Sequence, residues 1–322
     1  MIAFGEYGDC SIEEEILVRE LDAKVTYTKT VMTPEAREIA RKADAIAFAT
    51  EKYTPELLVT LENCKILSRF GTGLDNINLQ AAADNGIWVS NVPDAFVEEV
   101  STHAIALLLA CNRQLIPLVT SSRQGRWENI GRKIFRLKGQ TLGLLGFGLI
   151  ARATAQKAKA LGLNVIAYDP YINAEVFNVH GVTQATLEEL LSTSDYVSLH
   201  LPATESSIKI INTYSLSKMK PSAYLINTSR GALIDEDALL HAVQSGMILG
   251  AALDVRSTEP QSPDDPLARD EHIIITPHLA WCSIEAGHDL RFRATMEIVH
   301  VLNGMPPQNP ANKPIWLKPI TR

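Results

Sequence analysis

Three ionisable side chains, Arg230, Glu259 and His278, each stand shortly beyond the end of a brief apolar run. An arginine fork grips a carboxylate at two points, which a lysine point charge cannot do. A histidine passes a proton in either direction near neutral pH. A glutamate beside it orients the ring and keeps it charged before transfer. Hydride transfer to a 2-keto acid needs this set: a cation for the carboxylate, a proton donor for the developing alkoxide, and a group that tunes the donor.

In open α/β sheets, ligands gather outside the carboxyl ends of the strands, so the elements that end in these residues matter. Residues 142–169 read LGLLGFGLIARATAQKAKALGLNVIAYD. An apolar strand over 141–145 runs into Gly146-Phe147-Gly148, then a helix over about 150–161 and a second strand over 164–168 ending on Asp169. This is a dinucleotide-binding βαβ unit in its proper context. Gly146 permits the tight turn, and Gly148 lets the backbone approach a pyrophosphate. Leu149 and Ile150 open the helix whose N-terminal amides would receive the phosphates. Ala151 takes the third small position. Asp169, 21 residues beyond Gly148, suits the adenosine ribose hydroxyls and would repel a 2′-phosphate, so the expected cofactor is NAD.

Further strands over 196–200, 223–226, 248–253 and 273–275 end in His200-Leu201-Pro202, Asn227-Thr228-Ser229-Arg230, Asp254 and Thr276-Pro277-His278. Before the fingerprint, strand-like runs at 2–4, 24–27, 45–48, 65–68 and 87–90 alternate with helical stretches. Start signals for those helices are a capping box at Ser11–Glu14 and the pairs Thr33-Pro34 and Thr54-Pro55. Such alternation predicts an α/β protein with two doubly wound parallel sheets. Long helices are expected over 97–111 and 284–302, the latter with Ser283 as N-cap and Gly304 as its stop. The tail from residue 305 carries no evident element.

Composition narrows the partners. A net charge of −7 with no basic tract argues against nucleic acid. Four scattered cysteines without a C-x-x-C pair read as reduced thiols rather than a zinc site, and the N-terminus lacks a signal-peptide layout. The longest aliphatic run is too short for a bilayer. The expectation is a cytoplasmic protein with no metal and no membrane partner.

The chain resembles the NAD-dependent D-isomer-specific 2-hydroxyacid dehydrogenases over nearly its whole length. The segments that carry the resemblance are FGTGLDNIN (70–78), NVP (91–93), GFGLIA (146–151), LHLP (199–202), LINTSRGALIDEDAL (225–239), AALDV (251–255), EP (259–260) and TPHLA (276–280). It implies a flavodoxin-like substrate domain, discontinuous over 1–96 and 284–322, and a Rossmann NAD domain over 97–283, with a cleft between that closes on the substrate. It implies Arg230, Glu259 and His278 as the catalytic trio, with His278 as acid/base. Backbone amides of Gly71-Thr72-Gly73 would help hold the substrate carboxylate. The expected cofactor contacts are Thr102, Gly146, Gly148, Leu149, Ile150, Asp169, His200, Pro202, Thr228, Ser229, Arg230, Asp254 and His278. The helix near 97–111 would build a homodimer interface.

Departures refine this. Trp281 follows His-Leu-Ala where most members carry a small residue. With YGDCSIEEEIL (7–17) and FVEEV (96–100), it is similar to the branch containing the C-terminal binding proteins, in which a tryptophan faces the substrate pocket. Thr102 replaces a glutamate common ahead of His103. Glu259, where the formate branch has Gln, argues against formate. Lys52 borders the expected substrate edge, most simply as a solvated loop residue. The expected activity is reversible reduction of a 2-keto acid to the D-2-hydroxy acid, the particular acid left open. The alternative is an NAD(H)-sensing regulatory scaffold of the C-terminal binding protein type.

Overall fold

The computed structural model describes residues 2–4, 10–28, 33–127 and 133–319. Residues 7–9 of the branch-like segment lie outside them. The chain divides into two compact units, Met1–Ala95 with Ser283–Arg322, and Phe96–Cys282.

In the first unit, β1 (Ile2–Phe4), β2 (Thr26–Thr28), β3 (Ala45–Phe48), β4 (Ile66–Arg69) and β5 (Trp88–Ser90) form a parallel sheet in the order β2-β1-β3-β4-β5. The connecting helices are α1 (Ser11–Leu21), α2 (Pro34–Lys42), α3 (Pro55–Leu58) and α4 (Leu79–Asp84). The Thr33 and Thr54 side chains accept from Ala36 and Leu57 amides, each with proline as the first helical residue, as the sequence predicts. The Ser11–Glu14 capping box does not form: Cys10 occupies the N-cap and Ser11 lies inside the helix. In the same helix, buried Glu13 accepts two hydrogen bonds from Arg291, Nε to Oε1 at 2.7 Å and Nη2 to Oε2 at 2.5 Å. Two charges taken out of water this way need such a bidentate partner. Ile46, Phe48, Tyr53, Leu58, Leu67 and Val89 fill the core.

The second unit holds β6 (Thr141–Leu145), β7 (Asn164–Tyr168), β8 (Thr183–Gln184), β9 (Tyr196–Leu199), β10 (Tyr224–Asn227), β11 (Gly250–Leu253) and β12 (Ile273–Ile275). They form one parallel sheet in the order β12-β11-β10-β9-β6-β7-β8. Strand order therefore reverses between β6 and β9, the switch point where a ligand crevice opens in such sheets. Its helices are α5 (Val97–Asn112), α6 (Leu115–Arg123), α7 (Leu149–Ala160), α8 (Ala174–Val179), α9 (Leu187–Thr193), α10 (Thr213–Lys218), α11 (Glu236–Gln244) and α12 (Pro266–Arg269). The small residues Ala151, Ala155 and Ala158 are fully buried on α7, which lets that helix lie against α5 and β6. Both sheet faces are covered, one by a core around Val197, Leu225 and Leu253, the other by one around Leu144, Ile226 and Ala252. This explains why the strands read as continuous apolar runs.

The chain returns to the first unit with α13 (Ile284–Leu302), capped by the Ser283 side chain at 2.9 Å and stopped just before Gly304. No single helix among the described residues is long and apolar enough to cross a membrane; α5 and α6 pass together by length and composition but bend by 61° between them.

Candidate active site

The crevice side of the second unit is built by its strand-to-helix turns. Gly146 ends β6 with φ +89, and a Cβ there would sit 2.5 Å from the His200 carbonyl oxygen, so only glycine lets the β6 and β9 turns meet. Gly148 is the N-cap of α7, and a Cβ there would touch nothing within 4 Å. No side chain caps that helix end, so its first amides face a space kept open over Gly148 and exposed Leu149, with half-buried Ile150 next.

Asp169, at the end of β7, accepts from the Phe147 amide at 2.8 Å through Oδ2 and from the Tyr171 amide at 3.0 Å through Oδ1. This fixes the carboxylate beside the glycine turn, while each oxygen keeps a second lone pair for a hydroxyl. Thr228 closes β10 with its Oγ1 buried and without a hydrogen-bond partner among the described residues. Ser229 ties β10 to β9 by donating to the Leu199 carbonyl at 2.8 Å. His200 shares a 2.9 Å hydrogen bond with Ser198, and burial pushes its imidazole down to about 4, so it is neutral at pH 7. Pro202 is exposed just beyond. The bare helix end, the open space over Gly148, the clamped acid and the orphan hydroxyl fit a dinucleotide.

The catalytic candidates gather on the neighbouring turns. His278 Nδ1 and Glu259 Oε2 are 2.7 Å apart. Burial works to raise the Glu259 carboxyl. The hydrogen bonds from His278 and the Arg256 amide, with the positive charges of His278 and Arg230, outweigh it and hold the carboxyl below its usual range. Glu259 is therefore an ionised acceptor, which places the proton on Nδ1. Arg230, whose Nη1 donates to the Ser229 carbonyl at 2.7 Å, is half-buried beside them.

His278 itself has φ +54, a left-handed conformation that costs a non-glycine residue about 1–2 kcal/mol. Asp254, buried at the end of β11, holds it there. The Asp254 backbone oxygen accepts the His278 amide at 2.8 Å. Its carboxylate accepts the Thr276 hydroxyl at 2.5 Å and the Leu279 and Ala280 amides at 3.1 and 2.9 Å. Asp254, expected as a cofactor contact, is thus also the clamp of the turn that presents His278.

Two groups in this region were not singled out from sequence. His103 on α5 reaches Thr276 Oγ1 at 3.1 Å through Nε2, whereas Thr102, the expected contact, is exposed and turns to Glu98 at 3.4 Å. Arg256 surrounds the Glu259 loop with ion pairs. Neither lies in a motif with a fixed spacing, so only the fold brings them here. Trp281 packs against Phe96, with ring centroids 5.5 Å apart. In the first unit, the 71–73 loop follows β4; the Asn91 side chain donates to the Thr72 carbonyl at 2.6 Å and the Val92 amide to the Gly71 carbonyl at 3.1 Å. The NVP segment therefore shapes that loop. Among the described residues, no group of three or more His, Cys, Asp or Glu could hold a metal ion.

This architecture, a doubly wound sheet with a glycine turn after β6 at its switch point and a His–Glu pair on the turns after β11 and β12, is that of a dinucleotide-binding class. Residues 105–280 match the NAD binding domain of the D-isomer specific 2-hydroxyacid dehydrogenases, and the chain belongs to that family. It is 35% identical over 288 residues to the D-3-phosphoglycerate dehydrogenase of Archaeoglobus fulgidus, covering 89% of this chain and 55% of that protein. It is 34% identical over 292 residues to the glyoxylate reductase of Thermofilum pendens, covering 89% and 86%. The chain spans about half the length of the phosphoglycerate dehydrogenases it matches. The crystal structure of D-lactate dehydrogenase from Aquifex aeolicus, complexed with NAD and lactic acid, superposes with a TM-score of 0.85 at 30% identity, covering 94% of this chain and 96% of that one.

Proposed function

We propose that this protein reversibly reduces a small 2-keto acid to the D-2-hydroxy acid with NADH. The observation that carries the reading is the 2.7 Å contact between His278 and an ionised Glu259 beside Arg230, on the turns next to a dinucleotide-binding end. In this reading, the N-terminal amides of α7 at Leu149 and Ile150 receive the pyrophosphate over Gly146 and Gly148. Asp169 takes the adenosine ribose, and Thr102, His200, Pro202, Thr228, Ser229 and Asp254 line the remainder. When bound, NADH supplies the hydride that C2 of the keto acid accepts. The Arg230 guanidinium grips the substrate carboxylate and carbonyl. Protonated His278 gives its Nε2 proton to the developing alkoxide, and Glu259 holds the ring in place and stabilises its charge. On the family resemblance, the amides of Thr72 and Gly73 are assigned to the substrate carboxylate. Trp281, braced by Phe96, is an aromatic wall suited to a larger or more apolar keto acid.

The same reading includes a homodimer through α5 and α6, where Leu115, Ile116 and Val119 are exposed in a row that water alone would not favour. Light scattering at micromolar concentration distinguishes dimer from monomer.

The test mixes purified protein with NADH and pyruvate, glyoxylate, hydroxypyruvate, a branched-chain keto acid, phenylpyruvate or a thioether keto acid. Loss of the reduced-nicotinamide absorbance with at least one acid is expected. His278→Asn should lower that turnover by about 10²–10⁴-fold, the usual range for one acid–base group, with NADH affinity intact. NADH binding without turnover of any acid would overturn the enzyme reading in favour of a cofactor-sensing scaffold.

A further inference from the structure

Glu259 lies on an irregular segment, the stretch between β11 and α12, that also carries two prolines and has no regular hydrogen-bond ladder. Left to itself, such a segment would let the carboxylate wander by more than the fraction of an ångström that a 2.7 Å contact to His278 tolerates. What fixes it is Arg256. The Arg256 side chain is 5% exposed and is the centre of a closed set of polar contacts. Its Nε and Nη2 donate to the two oxygens of Glu236 at 3.0 and 3.1 Å, a fork-to-fork pair. Nη2 also donates to Asp265 at 2.9 Å, and Nη1 to the Gln261 side chain at 2.8 Å.

The partners lie on rigid elements. Glu236 is the first residue of α11, and Asp265 is the N-cap of α12, its other oxygen accepting the Leu267 amide. Glu236 further accepts the Ser257 amide and hydroxyl at 2.8 and 2.7 Å. The Arg256 backbone is pinned from behind as well, since a Cβ on Gly231 would fall 1.9 Å from the Arg256 carbonyl carbon. From that fixed position, the Arg256 amide donates to Glu259 Oε1 at 2.8 Å, leaving Oε2 for His278. One carboxylate oxygen is thus held by the loop and the other by the acid–base histidine.

We infer that Arg256, anchored by Glu236 and Asp265, is a positioning residue that fixes Glu259 and through it the tautomer and orientation of His278. The inference rests on the dehydrogenase reading for its consequence in turnover, but its geometric content stands apart from activity. Among the described residues, Arg256 makes no hydrogen bond or ion pair to His278 or to the expected cofactor contacts, so its effect must pass through Glu259.

The experiment compares wild type, Arg256→Met, Glu236→Gln, Glu259→Gln and the Arg256→Met/Glu259→Gln double variant. It measures kcat, KM for NADH, the thermal midpoint, and the long-range ¹⁵N spectrum of the His278 ring. Arg256→Met should lower kcat by about 10–100-fold, the scale of a small misplacement of a catalytic group, with KM for NADH unchanged. Glu236→Gln, which keeps the arginine and its volume, should do the same more weakly. In the Glu259→Gln background, the Arg256 change should cost less than about twofold, because residues acting through one another are not additive. The ring spectrum should show a single Nδ1–H tautomer in wild type and a mixture in Arg256→Met. Equal losses in both backgrounds, or an unmixed tautomer in folded Arg256→Met, would overturn the inference. Wild type that turns over no keto acid yet shows the tautomer change would sink the dehydrogenase reading and leave the positioning role intact.

Discussion

Gly146 and Gly148 sit two residues apart in one turn, yet their replacement by alanine should fail for different physical reasons. At Gly146, φ is +89 and the new methyl would lie 2.5 Å from the His200 carbonyl oxygen, a backbone atom that cannot rotate away. The left-handed conformation costs about 1–2 kcal/mol for a residue with a Cβ, and forced overpacking about 1–3 kcal/mol, so roughly 3 kcal/mol in all. For a unit of about 190 residues, that corresponds to a fall of ~6–12 °C in the thermal midpoint. Because β6 and β9 are pushed apart at the switch point, NADH affinity should weaken about tenfold or more, at least 1.4 kcal/mol. At Gly148, φ is −73 and nothing lies within 4 Å of the added methyl. That variant should melt within ~2 °C of wild type, since its backbone suits alanine. It should still lose about tenfold in NADH affinity, because the methyl stands where the cofactor phosphates must approach the amides of α7. Differential scanning calorimetry and NADH fluorescence titration read the two effects separately. Wild-type melting of Gly146→Ala, or wild-type NADH affinity of Gly148→Ala, would refute this account of the turn.

Three further outcomes follow from the site. Arg230→Lys should lower kcat/KM by about 10²-fold or more, since a point charge does not reproduce the two-point grip; parity with wild type would remove Arg230 from substrate binding. Trp281→Ala should shift preference away from bulky, apolar keto acids by about tenfold, the scale of one lost aromatic contact in a pocket, and an unchanged profile across acids of increasing size would remove the aromatic-wall idea. His200 stays neutral in the folded protein down to about 4, whereas the unfolded chain takes up the proton at about 6.5. The unfolded state binds more protons between those values, so this contribution is fully present above pH 6.5 and is lost as the pH falls towards 4. The melting temperature of His200→Asn should therefore fall less between pH 7 and 4.5 than that of wild type; parallel curves would contradict the burial of His200.

Much of the fold is legible in the chain because its signals are local. The α7 turn, the Thr-Pro helix starts and the Ser283 cap each depend on residues within four positions of one another, and α13 spans the residues expected of it. Strand ends were displaced by a residue or two, as at β2 and β11, since pairing partners rather than the strand's own residues set where the ladder stops. The short edge strand β8 has only two residues and no apolar pattern to announce it. The Ser11–Glu14 capping box fits its sequence pattern, yet the helix starts one residue earlier than the box requires, with Cys10 as the N-cap and Ser11 already inside it.

The same division runs through the site. Residue types and spacing alone determined the glycine turn, its acid and the three candidates Arg230, Glu259 and His278, because a dinucleotide turn and a strand end are short-range features. Only the tertiary structure decided what makes them work together. Asp254 holds His278 in a left-handed conformation, His103 meets Thr276 across 173 positions, and Arg256 ties the Glu259 loop to two helix starts. Each of these depends on buried polar groups finding partners from distant parts of the chain, a requirement of desolvation that leaves no mark in the spacing of residues.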